Sequence, residues 1–328
     1  MRVLVTGGTG FIGANLVRQL LERGDEVRCL IRKPNLCLEG LDVSLHKVAL
    51  DDEDGLATLM DGCEGVYHVA GIFDPSPGGE ERMHQVHVEG TRALGEAAVR
   101  AGVRRMVLCS SSITVGFGSR AHPGNEETWL DAGLYGHSGA LRAYHDTKLA
   151  SEKLVRGWTD IEGVVVNPDF IIGAWDVKPT SGQLIVSMAR GWMPAYPRGG
   201  KCFQDADACA LGHILAMDQG RPGERYLLGS HNLSYREFMD IVAEVIGCRK
   251  PLMPIPDIAV LAAGMVGRVG SRIDAHRFAG LDGHVLRAMQ QERYRDGTRS
   301  HEELGVPQVP MHQAVEKAYQ WFRDRDYC

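Results

Sequence analysis

Long apolar runs are missing from this sequence. The best stretch, Ile258–Val266 (IAVLAAGMV), is about half the length of a bilayer-spanning helix, which needs roughly 18 residues, so no membrane span is expected. Basic charge is in deficit as well: 36 Lys and Arg stand against 42 Asp and Glu, a net charge of −6 at pH 7. Nothing in that balance attracts a polyanion, and nucleic acid is not an expected partner. Eight cysteines occur, Cys29, Cys37, Cys63, Cys109, Cys202, Cys209, Cys248 and Cys328, but no Cys-x-x-Cys and no Cys/His grouping at metal-ligand spacing. A disulfide scaffold and a metal centre are thereby excluded as expectations. The cysteines read as small core hydrophobes in a reducing compartment, with an exposed thiol at Cys328. The opening MRVLV runs directly into a glycine cluster without the basic and apolar regions of an export signal, so a cytoplasmic protein is expected. Internal repeats and low-complexity tracts are absent too. What remains is an ordinary soluble composition, 44% hydrophobic and 24% charged over 328 residues, long enough for one large α/β domain or two smaller units.

Apolar strands alternate with amphipathic helices through the first half: Arg2–Val5, then Phe11–Arg23, then Glu26–Ile31, separated by short polar turns. The rhythm continues with a strand at Gly65–Val69, a helix over Met83–Ala101, a strand at Arg105–Ser110, a helix over Leu141–Arg156 and a strand at Gly163–Asn167. Near-continuous Val/Ile/Leu strands alternating with helices imply a parallel sheet covered on both faces. After Asn167 the rhythm breaks into Pro- and Gly-rich connections, Lys178–Gly182 and Met193–Pro197. Later helices are predicted over Asp205–Met217, Ser234–Ile246 and Gln313–Arg323, with a Pro-punctuated stretch at Pro251–Pro256.

The stretch VTGGTGFIG, Val5–Gly13, carries four glycines where the first strand ends and the first helix opens. Gly8, Gly10 and Gly13 satisfy G-x-G-x-x-G, while Thr6, Gly7, Gly10 and Gly13 satisfy T-G-x-x-G-x-x-G. Either spacing permits a tight turn and close approach of backbone to a pyrophosphate, to which the helix N-terminus presents free N–H groups and a positive dipole. Further on, Tyr144-His145-Asp146-Thr147-Lys148 forms Y-x-x-x-K at the start of a helix, placing phenol and ammonium on one face one turn apart. The triplet Ser110-Ser111-Ser112 lies at a strand end.

These motifs resemble the extended short-chain dehydrogenase/reductase, or NAD-dependent epimerase/dehydratase, family over essentially the whole chain. The echoes are TGGTGFIG, HVAG (His68–Gly71), VEGT (Val88–Thr91), CSSSITVG (Cys109–Gly116), YHDTK and NPDFIIG (Asn167–Gly173). Within the family the chain is similar to the dihydroflavonol-reductase and 3β-hydroxysteroid-dehydrogenase-like branch, and Asp176–Tyr196 is similar to bacterial hopanoid-associated sugar epimerase-like proteins. The resemblance implies an α/β, Rossmann-type doubly wound parallel sheet with a smaller α-rich C-terminal substrate region. Residues 1–173 would bind NADP(H), segments near 203–230 would return to that domain, and 174–328 would hold the substrate. It also implies a homodimer through the helices at Met83–Ala101 and Leu141–Arg156.

The resemblance further implies roles. A phenol with an ordinary pKa near 10 needs a neighbouring cation to work at neutral pH, and Lys148 supplies it while holding the nicotinamide ribose. Tyr144 would exchange the proton with a substrate carbonyl or alcohol, and Ser112 would hydrogen-bond the substrate oxygen, with Ser111 the competing assignment. Thr6, Gly7, Gly10, Phe11, Ile12, Gly13, Ala70, Gly71, Ser110 and Pro168 would line the cofactor. An NAD-preferring site carries an acid about 20 residues beyond the glycines, but here that place reads Ile31-Arg32-Lys33. Arg32 and Lys33 would welcome a 2′-phosphate, so NADP(H) is expected, with NAD(H) the other option. The family's aspartate after the third strand is replaced around Ala49-Leu50, although Asp51 and Asp52 follow, and the asparagine before VEGT is His87. That histidine is either packed or part of the proton route.

The expected activity is reduction of a ketone or aldehyde, or oxidation of the alcohol, of a small, partly apolar substrate. Phe170, Trp175, Trp192 and Tyr196 are the candidates to line its pocket. A sugar-nucleotide epimerase with tightly held NAD(P) is the alternative, and a non-catalytic nucleotide sensor the third. Ile113-Thr114-Val115 lacks the acid pair of the family's dehydratases, which disfavours dehydration.

Overall fold

Strand β1 (Arg2–Thr6), helix α1 (Phe11–Glu22), β2 (Glu26–Leu30), β3 (Ser44–His46), α2 (Glu53–Leu59), β4 (Gly65–His68), α3 (Gly79–His84), α4 (Gly90–Arg100), β5 (Arg105–Cys109), α5 (Ala140–Arg156) and β6 (Glu162–Pro168) follow one another along the first half of the chain. The computed structural model describes residues 1–136, 139–191, 193–270 and 283–328. The helix expected over Met83–Ala101 is interrupted: a π-helical turn, Gln85–Glu89, separates α3 from α4.

The second half begins with β7 (Phe170–Ile172), α6 (Gln183–Arg190), β8 (Ala195–Tyr196), β9 (Gly200–Asp205), α7 (Ala206–Gln219), β10 (Arg225–Leu228), β11 (His231–Ser234) and α8 (Tyr235–Ile246). It continues with β12 (Met253–Pro254), α9 (Asp257–Gly270), α10 (Gly283–Met289), β13 (Glu292–Arg293), α11 (Thr298–Leu304) and α12 (Met311–Arg323).

Seven strands form one sheet in the order β10-β6-β5-β4-β1-β2-β3, and every pairing in it is parallel. The reversal of order beside β1 is the switch point of a Rossmann-type sheet, where a crevice opens at the carboxyl ends of the strands. Alternate residues of each strand feed the two faces. Val3 and Val5 join the core that α1 and α7 cover, while Leu4 joins the core under α2 and α4. Each fully buried Val or Leu stabilises the fold by roughly 1.5–3 kcal/mol relative to exposure, and a sheet covered on both faces collects this from nearly every strand residue.

Beyond β6 the chain builds a second core from β7, α6, β9, α8 and α12, rich in rings: Phe203 stacks on Phe238 with centroids 4.4 Å apart, and Trp321 packs against Phe322. The region expected to be α-rich also carries a small mixed sheet, β11-β9-β13 with β7 on the side of β9. Its strands have two to six residues, too short for alternation to register in sequence. From β9 the chain passes through α7, packed on α1, and adds β10 to the first sheet beside β6.

Candidate active site

The turn between β1 and α1 admits glycine for steric reasons at two positions. Gly7 is left-handed (φ 73°), and a Cβ there would lie 2.6 Å from the Ala70 nitrogen; a Cβ on Gly13 would lie 2.2 Å from the Gly7 oxygen. Gly10 begins α1 with no side-chain cap, so the first-turn N–H groups remain available to an anion. A cleft of about 600 Å³ opens here, lined by Gly7, Gly10, Phe11, Ile12, Gly13, Gly71, Ser110 and Pro168 among others. Two expected cofactor residues stand behind the wall: Thr6 is buried with its hydroxyl accepting from the Ala70 N–H, and Ala70 meets Gly7 through its backbone. Arg32 and Lys33 are exposed outside the cleft, on a loop tied to the glycine turn by the Asn35 Nδ2 to Thr9 carbonyl bond of 2.9 Å. Asp52 is committed elsewhere, capping α2 through the Gly55 N–H. Uncapped helix, glycine cradle and adjoining cations are the features a dinucleotide needs, and these residues fit one.

At the other end of the cleft, α5 presents Tyr144 and Lys148 one turn apart, both lining it. The buried Lys148 donates to the Cys109 carbonyl at 3.0 Å, and burial lowers its pKa. Lys148 was expected to pull the Tyr144 phenol down; instead burial, reinforced by Cys109, pushes it up to about 12, opposed by a hydrogen bond with Ser111. Desolvation is the largest influence on the phenol and decides the direction. The phenol is protonated at neutral pH and has a proton to give, but the rise makes it a weaker acid than a free phenol.

Ser112 requires a correction. It is buried, begins a one-turn 3₁₀ helix and does not line the cleft, whereas Ser111 lines it together with Tyr144. In an extended segment neighbouring side chains point to opposite sides, and Ser111 (φ −160°, ψ 150°) is the residue turned to the cleft.

Sequence reasoning missed Glu152, one turn beyond Lys148 on α5. This buried carboxylate accepts from Ser110 Oγ and Thr114 Oγ1, both at 2.5 Å, and from Asn167 Nδ2 at 2.7 Å, with Arg225 at 3.3 Å. It ties the end of β5 to α5. The i, i+4, i+8 spacing of Tyr144, Lys148 and Glu152 was the available signal.

The cleft around Tyr144 is aromatic: Phe73 stands edge-on to Tyr144 at 5.7 Å, and Phe170 lines the cleft against Phe203. Nearby cations are engaged. Arg295 Nη1 donates to Asp169 Oδ2 at 2.6 Å while Nε and Nη2 reach the Val115 carbonyl. Lys201, pushed down to about 8 by burial, sits 4.0 Å from the other Asp169 oxygen. Two expected substrate residues lie away from the cleft. Trp175 takes a left-handed backbone (φ 73°), and its ring packs against the Arg18 and Arg325 guanidiniums, beside Trp321, where cation–π attraction holds it. Tyr196 lies in β8 with Arg236 over its ring. Trp192 lies outside the described residues.

The family model that matches residues 3–229 is that of the NAD dependent epimerase/dehydratase family. The chain belongs to that family. Among its relatives, a Synechocystis protein whose name assigns it provisionally to dihydroflavonol 4-reductase is 32% identical, covering 98% of this chain and 95% of the relative. Sterol demethylase protein B of Methylococcus capsulatus is 32% identical over 99% of each chain. Among solved structures, that of gox2253 superposes with a TM-score of 0.83 at 30% identity, covering 99% of this chain and 98% of that one. The chain is thus an enzyme of the extended short-chain dehydrogenase/reductase class with an NAD(P)-dependent Rossmann fold. Among the described residues no helix is long and apolar enough to cross a membrane, and no group of His, Cys, Asp and Glu could hold a metal ion.

Proposed function

We propose that this family member is an NADP(H)-dependent reductase of a small, partly apolar ketone or aldehyde, running in reverse as an alcohol dehydrogenase. The observation that carries the reading is that Tyr144, Lys148 and Ser111 line one cleft together, where a glycine cradle meets an aromatic wall. A nicotinamide dinucleotide in the cradle supplies or accepts the hydride. Ser111 orients the substrate oxygen, Tyr144 gives it the proton, and Lys148 on the same face of α5 holds the ribose. Arg32 and Lys33 meet the 2′-phosphate, for which the second strand's end offers no competing acid.

The substrate end favours an uncharged compound. A diphosphate needs convergent cations or backbone donors, yet Arg295 and Lys201 are turned onto Asp169. A relative named for sterol demethylation supports a polycyclic substrate. The test is incubation with NADPH and a panel of aryl, acyl and polycyclic ketones, alongside UDP-glucose and dTDP-glucose. Loss of NADPH absorbance with a ketone is expected; micromolar binding of a nucleotide sugar, with epimerised product and no net cofactor change, would replace the reductase with the epimerase.

A further inference from the structure

His68, Thr91 and His87 belong to motifs that the reaction above leaves without a task. Beneath the cleft they join Thr6 and Thr147 in one continuous run of hydrogen bonds. The contacts are Thr6 Oγ1 to His68 Nδ1 (2.7 Å), His68 Nε2 to Thr91 Oγ1 (3.1 Å), Thr91 Oγ1 to the His87 carbonyl (2.5 Å), His87 Nδ1 to Thr147 Oγ1 (2.8 Å) and Thr147 Oγ1 to the Ala143 carbonyl (2.7 Å). A branch brings the Ile72 N–H to His87 Nε2 at 3.1 Å. All four side chains from His68 to Thr147 are buried.

Donor counting fixes every direction. Carbonyls only accept, so the single protons of Thr91 and Thr147 go to His87 and Ala143. His68 Nε2 and His87 Nδ1 must therefore be the protonated nitrogens. The Ile72 amide only donates, so His87 Nε2 is an acceptor, and with the His68 ring neutral its Nδ1 accepts from the Thr6 hydroxyl. The run starts beside the glycine turn, passes the cleft wall at Ile72, and ends on α5 at the residue before Tyr144. His87 sits in the π-helical turn, a local widening that recurs at functional sites, and its ring meets the Tyr144 ring edge-on at 5.6 Å.

We propose that His87 is a positioning residue: a neutral imidazole locked in the Nδ1–H form, clamping the cleft wall to α5 and bracing Tyr144, and carrying no proton in the reaction. A relay through the ring needs a partner at each nitrogen that can give or take a proton, and the Ile72 amide at Nε2 does neither. The titratable groups facing the two imidazoles are Lys148 and Tyr144 from α5 and the imidazoles themselves. Burial and the Lys148 charge push His68 down to about 3 and His87 to about 2, in keeping with neutral rings.

The proposal rests on Tyr144 as the proton donor, but its first test needs no turnover. In full-length protein with ¹⁵N-labelled histidine, the His87 ring, assigned by its loss in His87→Gln, is expected to show the Nδ1–H form throughout a titration from about pH 5.5 to 8.5. A ring that titrates in that window, or carries its proton on Nε2, overturns the proposal even if the enzyme proves to be a reductase. The second test uses the ketone that the wild type reduces fastest. Thr147→Val, which removes the acceptor and leaves Tyr144 and Lys148 in place, should lower kcat about tenfold, the loss of one hydrogen bond's worth of positioning, with KM within about twofold. Thr147→Ser should restore kcat. Equal kcat in the Val and Ser variants would also overturn it; if Thr147→Val fails to fold, the ring titration decides alone.

Discussion

Around the glycine turn the cleft is shaped by backbone, whereas across from it, around Phe170, it is shaped by side chains. The turn works by what is missing: with no Cβ at Gly7 or Gly13, two stretches of main chain approach within van der Waals limits, and with no cap on α1 the N–H groups stay free. The opposite wall works by what is present, with Phe170, Phe203, Tyr235 and Phe238 packed ring on ring over a second core. A backbone site admits almost no substitution and binds a group that many proteins share. A side-chain site can be recut residue by residue, which is where substrate choice resides.

Five substitutions probe that contrast. The largest effect is expected at the junction of the two walls. Tyr144→Phe should reduce kcat by about 10²–10⁴-fold while NADPH binding, followed by fluorescence, stays within about twofold, because the phenol serves the substrate and not the cradle. Next, Phe238→Ala should destabilise the fold by about 3–5 kcal/mol, read from urea unfolding, and leave cofactor affinity nearly unchanged. Gly13→Ala should abolish measurable dinucleotide binding and also cost stability, since its Cβ would force the Gly7 backbone aside. If Phe238→Ala loses cofactor affinity as well, the two walls are one cooperative unit and the contrast fails.

A smaller effect concerns the edge of the backbone site, where side chains enter. Arg32→Ala should weaken NADPH by about 1.5–3 kcal/mol, the worth of a charge-assisted hydrogen bond, and leave NADH unaffected. NADH binding as well as NADPH to the wild type would remove the reason for the variant.

The smallest effect is at Asp176, in the loop that joins the walls and supplies Thr180 and Ser181 to the cleft. Its buried carboxyl accepts from the Thr180 and Gly182 N–H groups, yet burial still pushes it up to about 6. Its folded pKa thus lies above the unfolded value near 3.9, so the folded state binds more protons between the two. Stability should therefore fall as pH rises from about 4 to about 6, by at most about 2 kcal/mol. Asp176→Asn should flatten that slope in urea titrations at the two pH values; an unchanged slope would assign it to other groups.

Six of the eight cysteines are buried and only Cys328 is exposed, as their scatter through apolar surroundings implied. The glycine cradle, the parallel strands and the Tyr144–Lys148 pair were likewise legible, because each is a local pattern: a spacing that a turn, a pleat or a single helical turn converts directly into geometry. Other features depended on residues far apart in sequence. Which serine faces the cleft was decided by the extended backbone at Ser111 and the 3₁₀ turn after it. Glu152 gathers Ser110, Thr114, Asn167 and Arg225 only because β5, β6 and α5 converge. Trp175 packs with Arg18 and Arg325 away from the cleft, and the Tyr144 phenol rose because burial outweighed every other influence on it. Local spacing was enough for the sheet, the cradle and the Tyr144–Lys148 pair on one face of α5. The tertiary structure alone decided which side chains meet, because burial, hydrogen-bond satisfaction and ring packing are settled only when every neighbour is in place.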